Sequence, residues 1–383
     1  MEGKKRQDVF APNRREFIAG ALATASLGFA FGGNGEAAAP AESPAFLRSA
    51  LLHLSMNMWG EYAFPGETRY PGYKYVSDRL ATQDAIWNAT IDRMVRRKYN
   101  HAVVDVGDAV VFPSHPEIAI KGSWTADRLR DEVVRLKKLG IEAVPKLNFS
   151  AGHDGWLKQY GRMVSTRKYY QVVTDLIADT CEIFGNPRQF HLGLDEEETI
   201  HVSGKPLVQV RKGELWWHDA QFLFDEVGRR NAQPICFGMT ALVENGQEVF
   251  LRRMPRSVIQ NLCIYGSNFD VFGDAGKKPD FALRRLQSKC SGVETMAKAG
   301  YTILGGTSAW VMKPAGKPVP QGRDYPLNHR SAEAYLAFLR KTVPTEQLMG
   351  MVAMPWEPMT ERRAYCWESG IDELADALDG TEA

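Results

Sequence analysis

Phe190-His191-Leu192-Gly193-Leu194-Asp195-Glu196-Glu197-Glu198 is the segment on which the reading of this chain turns. Its first six residues alternate, which predicts a strand with Phe190, Leu192 and Leu194 facing outward and His191, Gly193 and Asp195 facing inward. Glu196, Glu197 and Glu198 follow where the strand gives way, and four adjacent carboxylates repel one another, so at least one is expected to have a raised proton affinity. The strand is expected to open into a loop at Asp195, with its acids at an accessible edge.

The same unit recurs on both sides of this segment. Short apolar runs predict strands at Leu52–Met58, Ala102–Val106 and Glu142–Asn148 upstream, and at Pro234–Met239, Val258–Ile264, Tyr301–Gly306 and Gly350–Pro355 downstream. Helical spacing lies between them. Leu129, Val133, Leu136 and Leu139 mark a helix over Thr125–Leu139. Val172, Val173, Leu176, Ile177 and Ile183 mark another over Tyr169–Phe184. Gly140 and Gly185 stand where a helix ends on a left-handed residue. Eight alternating units imply a parallel sheet closed on itself, a single-domain α/β fold of the (β/α)8 TIM-barrel class. In that fold chemistry gathers where strands run into the following loops, so polar residues at strand C-termini carry more weight than charged helix faces.

Bulk composition narrows the partners. The 383 residues are 44% hydrophobic and 24% charged, with a formal net charge of +1. No field of one sign points to nucleic acid or to an anionic membrane surface. The five cysteines form no C-x-x-C pair and read as free thiols. No G-x-G-x-x-G follows the first strand and no G-x-S-x-G elbow is present, so neither a dinucleotide cofactor nor a serine hydrolase is indicated. No local ligand spacing suggests a metal. The expectation is a protein with no cofactor and no metal.

The first forty residues read as an address. Lys4, Lys5, Arg6, Arg14 and Arg15 precede a weakly apolar run rich in Ala and Gly, and Ala37-Ala38-Ala39 supplies small side chains for cleavage. Asn13-Arg14-Arg15-Glu16-Phe17-Ile18 resembles a twin-arginine export motif. Residues 1–39 are thus expected to be an export signal read by the twin-arginine machinery, and 40–383 the barrel. The implied location is periplasmic or secreted, without stable membrane insertion.

The acidic segment also carries a resemblance. His191-Leu192-Gly193-Leu194-Asp195-Glu196 is similar to the H-x-G-G-D-E motif of glycoside hydrolase family 20, the β-N-acetylhexosaminidases. Gly140-Ile141-Glu142-Ala143-Val144-Pro145-Lys146-Leu147-Asn148, followed by Ala151-Gly152-His153, resembles that family's G-I-E-V-I-P-E-I-D-x-P-G-H stretch. Trp356-Glu357 resembles its closing W-x-E. The resemblance implies that Asp195 orients a substrate 2-acetamido group and that Glu196 is the general acid and base. His153, with His191 nearby, would support them from behind. Lys146 and Asn148 stand where the family has Glu and Asp, Leu194 replaces a Gly, and Asn57, Trp59 and Glu61 occupy the region of its sugar-binding Arg.

Further candidates follow from position. Trp59, Trp310 and Trp356 fall at or just after three strand ends, where indole faces can stack on sugar rings. Asn57, Asp105, Asn148, Glu197 and Glu357 are expected to bind substrate. Two other readings remain open. Glu357 can serve as nucleophile in a two-carboxylate retaining mechanism, which needs carboxyls about 5–5.5 Å apart. Alternatively, the chain is a carbohydrate-binding barrel without turnover.

Overall fold

The computed structural model describes residues 46–59, 76–198, 202, 208–265, 281–308 and 330–380. The expected export signal and Trp310 lie outside these residues. One compact unit runs from Phe46 to the C-terminus. Its strands are β1 Leu47–His53, β2 His101–Asp105, β3 Glu142–Lys146, β4 Gln189–His191, β5 Gln233–Cys236, β6 Ile259–Cys263, β7 Ile303–Thr307 and β8 Leu348–Ala353.

All pair in parallel, and β1 closes the circle by pairing with both β2 and β8. The fold is a (β/α)8 barrel. Strands in such a barrel are covered by helices outside and packed side chains inside, so they read as near-continuous apolar runs. In β2, His101-Ala102-Val103-Val104-Asp105 is buried throughout. Helix ends follow local chemistry. Thr125 Oγ1 accepts from Arg128 N at 3.1 Å and caps helix α1, Ala126–Lys138. Gly140 (φ +79°) closes it, and Gly185 (φ +69°) closes helix α2, Arg167–Ile183.

Among the shifted strand boundaries, those of β1 and β4 bear on the site. Strand β1 starts and ends five residues earlier than the predicted run, because apolar residues continue past His53 at Leu54, Met56 and Met58 and mask the strand end. Pairing of Ser49 with His101 and of Leu47 with Gly350 sets the register instead. Strand β4 ends at His191, not Asp195. Sheet-like hydrogen bonds continue as far as Gly193, whose carbonyl accepts from Phe237 N at 2.8 Å. Gly193 (φ +72°), Leu194 (φ +67°) and Glu196 (φ +53°) adopt left-handed conformations, so regular strand geometry is not continued. Asp195 therefore sits in an irregular, bent segment beyond the strand. Among the described residues no helix is long and apolar enough to cross a membrane. All five cysteines are free.

Candidate active site

The floor of the barrel mouth is built from three laterally paired residues at the ends of β1, β2 and β3. His53 is in register with Asp105, and Asp105 with Lys146, so all three side chains point into the barrel. Lys146 Nζ donates to Asp105 Oδ2, and His53 Nδ1 lies 3.3 Å from the same oxygen. Burial pushes the Asp105 carboxyl up, but Lys146 and His53 outweigh it and hold the group below the ordinary range. Burial lowers the proton affinity of His53. Asp105, expected to meet substrate, is the counter-ion of a buried lysine and is 1% exposed.

On β4, His191 braces the bent segment. Its Nδ1 accepts from Gly193 N at 3.0 Å, which leaves the proton on Nε2 to donate to Asn261 Oδ1 at 3.1 Å on β6. Burial, with the Lys146 charge added, pushes the imidazole down to about 3, so it stays neutral in this role.

The loop after β3 meets the acidic segment directly. Asn148 Nδ2 donates to Asp195 Oδ1 at 3.0 Å, and Asn148 Oδ1 accepts from Ser150 N at 3.0 Å. Ser150 Oγ donates to the Asp195 carbonyl. His153 Nε2 lies 3.2 Å from Glu196 Oε2 and 3.8 Å from Asp195 Oδ2, so the two carboxylates converge on one buried imidazole. From the helix Met239–Asn245 that follows β5, Thr240 Oγ1 accepts from Glu196 N at 3.1 Å. The side chain of Glu196 is 48% exposed, that of Asp195 18%. One acid is open to solvent and the other is half-sheltered and oriented.

Trp356 comes in from β8. Its ring stacks on His53 at 5.4 Å and its Nε1 donates to Tyr265 Oη at 2.9 Å. Tyr265, just past β6, has its hydroxyl proton held well above the usual range, first by burial, with the Asp195 charge contributing. Asp195, Glu196, His153, Asn148 and Trp356 thus come together at the C-terminal end of the barrel, where this architecture places chemistry.

Other expected site residues are engaged elsewhere. Glu197 is buried, accepting from Ala151 N at 3.0 Å and paired with Arg211 at 2.8 and 3.0 Å. Glu357 is 1% exposed and stands 3.4 Å from Arg363 Nε. Asn57 uses its amide on Ser77 and on Asp108, at 2.8 and 2.6 Å. The backbone of Trp59 closes the short 3-10 turn Asn57–Trp59, and its side chain lies outside the described residues. Polar residues near the mouth are as readily consumed in binding loops to each other as in facing a ligand. Sequence reading missed Ser150, Thr240, Tyr265 and Arg211. Tyr265 carried a usable signal, an aromatic two residues beyond a strand end, whereas Arg211 carried none. Among the described residues no group of three or more His, Cys, Asp or Glu side chains could hold a metal ion.

Solved structures show the same closed parallel barrel. The chain is similar to the family 20 β-N-acetylhexosaminidase of Streptomyces coelicolor, with a TM-score of 0.54 at 15% identity over 87% of this chain and 65% of that one. It is similar to the N-acetyl-β-hexosaminidase of Streptomyces plicatus, with a TM-score of 0.53 at 14% identity over 87% and 64%. One of the tandem family 20 catalytic modules of a pneumococcal exo-β-D-N-acetylglucosaminidase gives a TM-score of 0.52 at 14% identity, over 88% and 85%. The chain spans less than two thirds of either Streptomyces enzyme. At these identities the likeness is one of fold. No protein-family profile matches the sequence, and no curated protein does.

Proposed function

We propose that this chain is an exported glycoside hydrolase that cleaves terminal 2-acetamido-2-deoxy-β-glycosides, with Glu196 as general acid and base and Asp195 orienting the acetamido group. The observation that carries this reading is the pairing of an exposed Glu196 with a sheltered, amide-anchored Asp195 around His153. In the proposed reaction the acetamido oxygen attacks the anomeric carbon while Asp195 holds the acetamido N–H. Glu196 gives its proton to the leaving oxygen as the glycosidic bond breaks. Water then attacks the anomeric carbon, returns a proton to Glu196 and opens the cyclic intermediate. This substrate-assisted route needs no enzyme nucleophile. The fold likeness supports it, as does the burial of Glu357 against Arg363, which disfavours the two-carboxylate alternative. Export by the twin-arginine route to the periplasm or beyond rests on residues 13–18 and 37–39.

The test compares hydrolysis of aryl 2-acetamido-2-deoxy-β-glycosides with that of the matched 2-hydroxy glycosides. Turnover confined to the acetamido series, and lost in Glu196→Gln, supports the proposal. Equal turnover of both series removes substrate assistance. Tight saccharide binding with no turnover replaces the hydrolase with a binding protein.

A further inference from the structure

Arg211 lies in the segment leading to helix α3, Glu214–Gly228, fourteen residues after Glu197. Its side chain is 1% exposed. The guanidinium makes two bonds to Glu197, Nε to Oε2 at 3.0 Å and Nη2 to Oε1 at 2.8 Å. It also donates to the Phe149 carbonyl at 2.6 Å and to Asp219 Oδ2 at 3.0 Å. Ser165 and Tyr170 hydroxyls hold Asp219 in turn. Burial opposes the charge on Arg211, but Glu197 foremost, with Asp219, outweighs it and keeps the guanidinium firmly protonated. A planar fork of this kind constrains its partner in angle as well as distance.

The partners reveal what is constrained. Phe149 belongs to the loop that carries Asn148 and His153. Glu197 is the immediate neighbour of Glu196 and also accepts from Ala151 N of that same loop. Glu196 holds φ +53°, a conformation that non-glycine residues keep only where the surroundings over-determine it. The Cβ position of Gly152 lies 2.9 Å from the Glu196 carbonyl, so the two loops are in tight register at this point. Arg211 is a buried cation that bonds both loops at once, through the Phe149 carbonyl and the Glu197 carboxylate.

We propose that Arg211 is a positioning residue: through Glu197 it locks the β3 and β4 loops together and sets the direction in which Glu196 presents its carboxyl. The consequence for turnover rests on the reading of Glu196 as the acid. A misplacement of about 1 Å at a reacting group can cost ~100-fold in rate. Neither Arg211 nor Glu197 is open to a ligand, so the effect falls on kcat rather than on KM.

The experiment uses Arg211→Lys, Arg211→Met and Glu197→Gln in the full chain. Kinetics on an aryl 2-acetamido-2-deoxy-β-glucoside are measured together with backbone amide exchange of residues 149–153 and 195–198. Expected are kcat losses of ~100-fold in Glu197→Gln and Arg211→Met, with KM within about twofold and partial recovery in Arg211→Lys. Amide exchange at Ala151 and Glu196 should accelerate at least ~10-fold, with the β2 and β3 amides unchanged. Wild-type kcat in a folded Arg211→Lys or Glu197→Gln variant, or a loss residing in KM, overturns the proposal. If Arg211→Met fails to fold, the isosteric Glu197→Gln decides. A wild-type chain that hydrolyses no glycoside defeats the hydrolase reading alone. Exchange at Ala151 and Glu196 then judges the positioning claim, and unchanged protection in the variants rejects it.

Discussion

Gly193 and Asn148 occupy one space: a Cβ built on residue 193 would stand 2.0 Å from Asn148 Oδ1. The amide that orients Asp195 can therefore reach it only because the strand above has no side chain there. Gly193 also sits at φ +72°, so other residues are disfavoured there by backbone strain as well as by volume.

Gly193→Ala should lower stability by about 1–3 kcal/mol from the backbone conformation alone, with displacement of Asn148 added. Denaturant midpoints measure the first. Loss of turnover exceeding that of a variant equally destabilised elsewhere measures the second. A Gly193→Ala chain with wild-type stability contradicts the geometry described here.

Lys146 and Asp105 form a buried pair in which each is the other's justification. Lys146→Met leaves Asp105 uncompensated and should cost about 3–5 kcal/mol. The double variant Lys146→Met, Asp105→Leu should recover most of that, because an apolar pair of similar volume removes the desolvation cost of both charges. Equilibrium unfolding of the four proteins in the cycle provides the measurement. Additive losses would show that the pair is not coupled.

Glu373, on the last helix Ala364–Asp379, accepts from Ala332 N at 2.8 Å at the start of helix Ser331–Thr342. Burial pushes its carboxyl up from 4.5 to about 7. A raised acid favours the protonated folded state, so its contribution is fully present below about pH 4.5 and is lost as pH rises through about 7. Glu373→Gln keeps an acceptor but cannot ionise. The variant should match wild type in Tm near pH 4 and exceed it at pH 8. A difference that is flat with pH would show that Glu373 does not titrate in this range.

Glu196→Gln should slow aryl glycosides in proportion to how poorly the aglycone leaves. A general acid contributes ~100- to 10,000-fold where the leaving oxygen must be protonated, and little where the phenolate departs unaided. A plot of log kcat against leaving-group acidity should steepen in the variant. An unchanged slope assigns the proton to another residue.

Much of this was legible in the residues. Alternation through Phe190–Leu194 and the helical spacing at Leu129 and Val172 marked the barrel, because backbone hydrogen bonding and side-chain direction are short-range properties. The exact ends were not. Strand β1 could not be told from its apolar continuation, and the bend after β4 was hidden because Leu194 and Glu196 take left-handed conformations that their side chains do not announce. The fates of Glu197 and Asn57 were equally hidden, since both look like mouth residues until their partners Arg211 and Asp108 are seen.

Local pattern therefore determined that the chain alternates strand and helix eight times and that its acid pair follows the fourth strand. Only closure of the barrel decided that Asp195 would rest on an asparagine and Glu197 against an arginine. The physical reason is range. Helix and strand periodicities are written within a few residues, whereas a buried charge finds its partner through contacts between loops that only the folded cylinder brings within 3 Å.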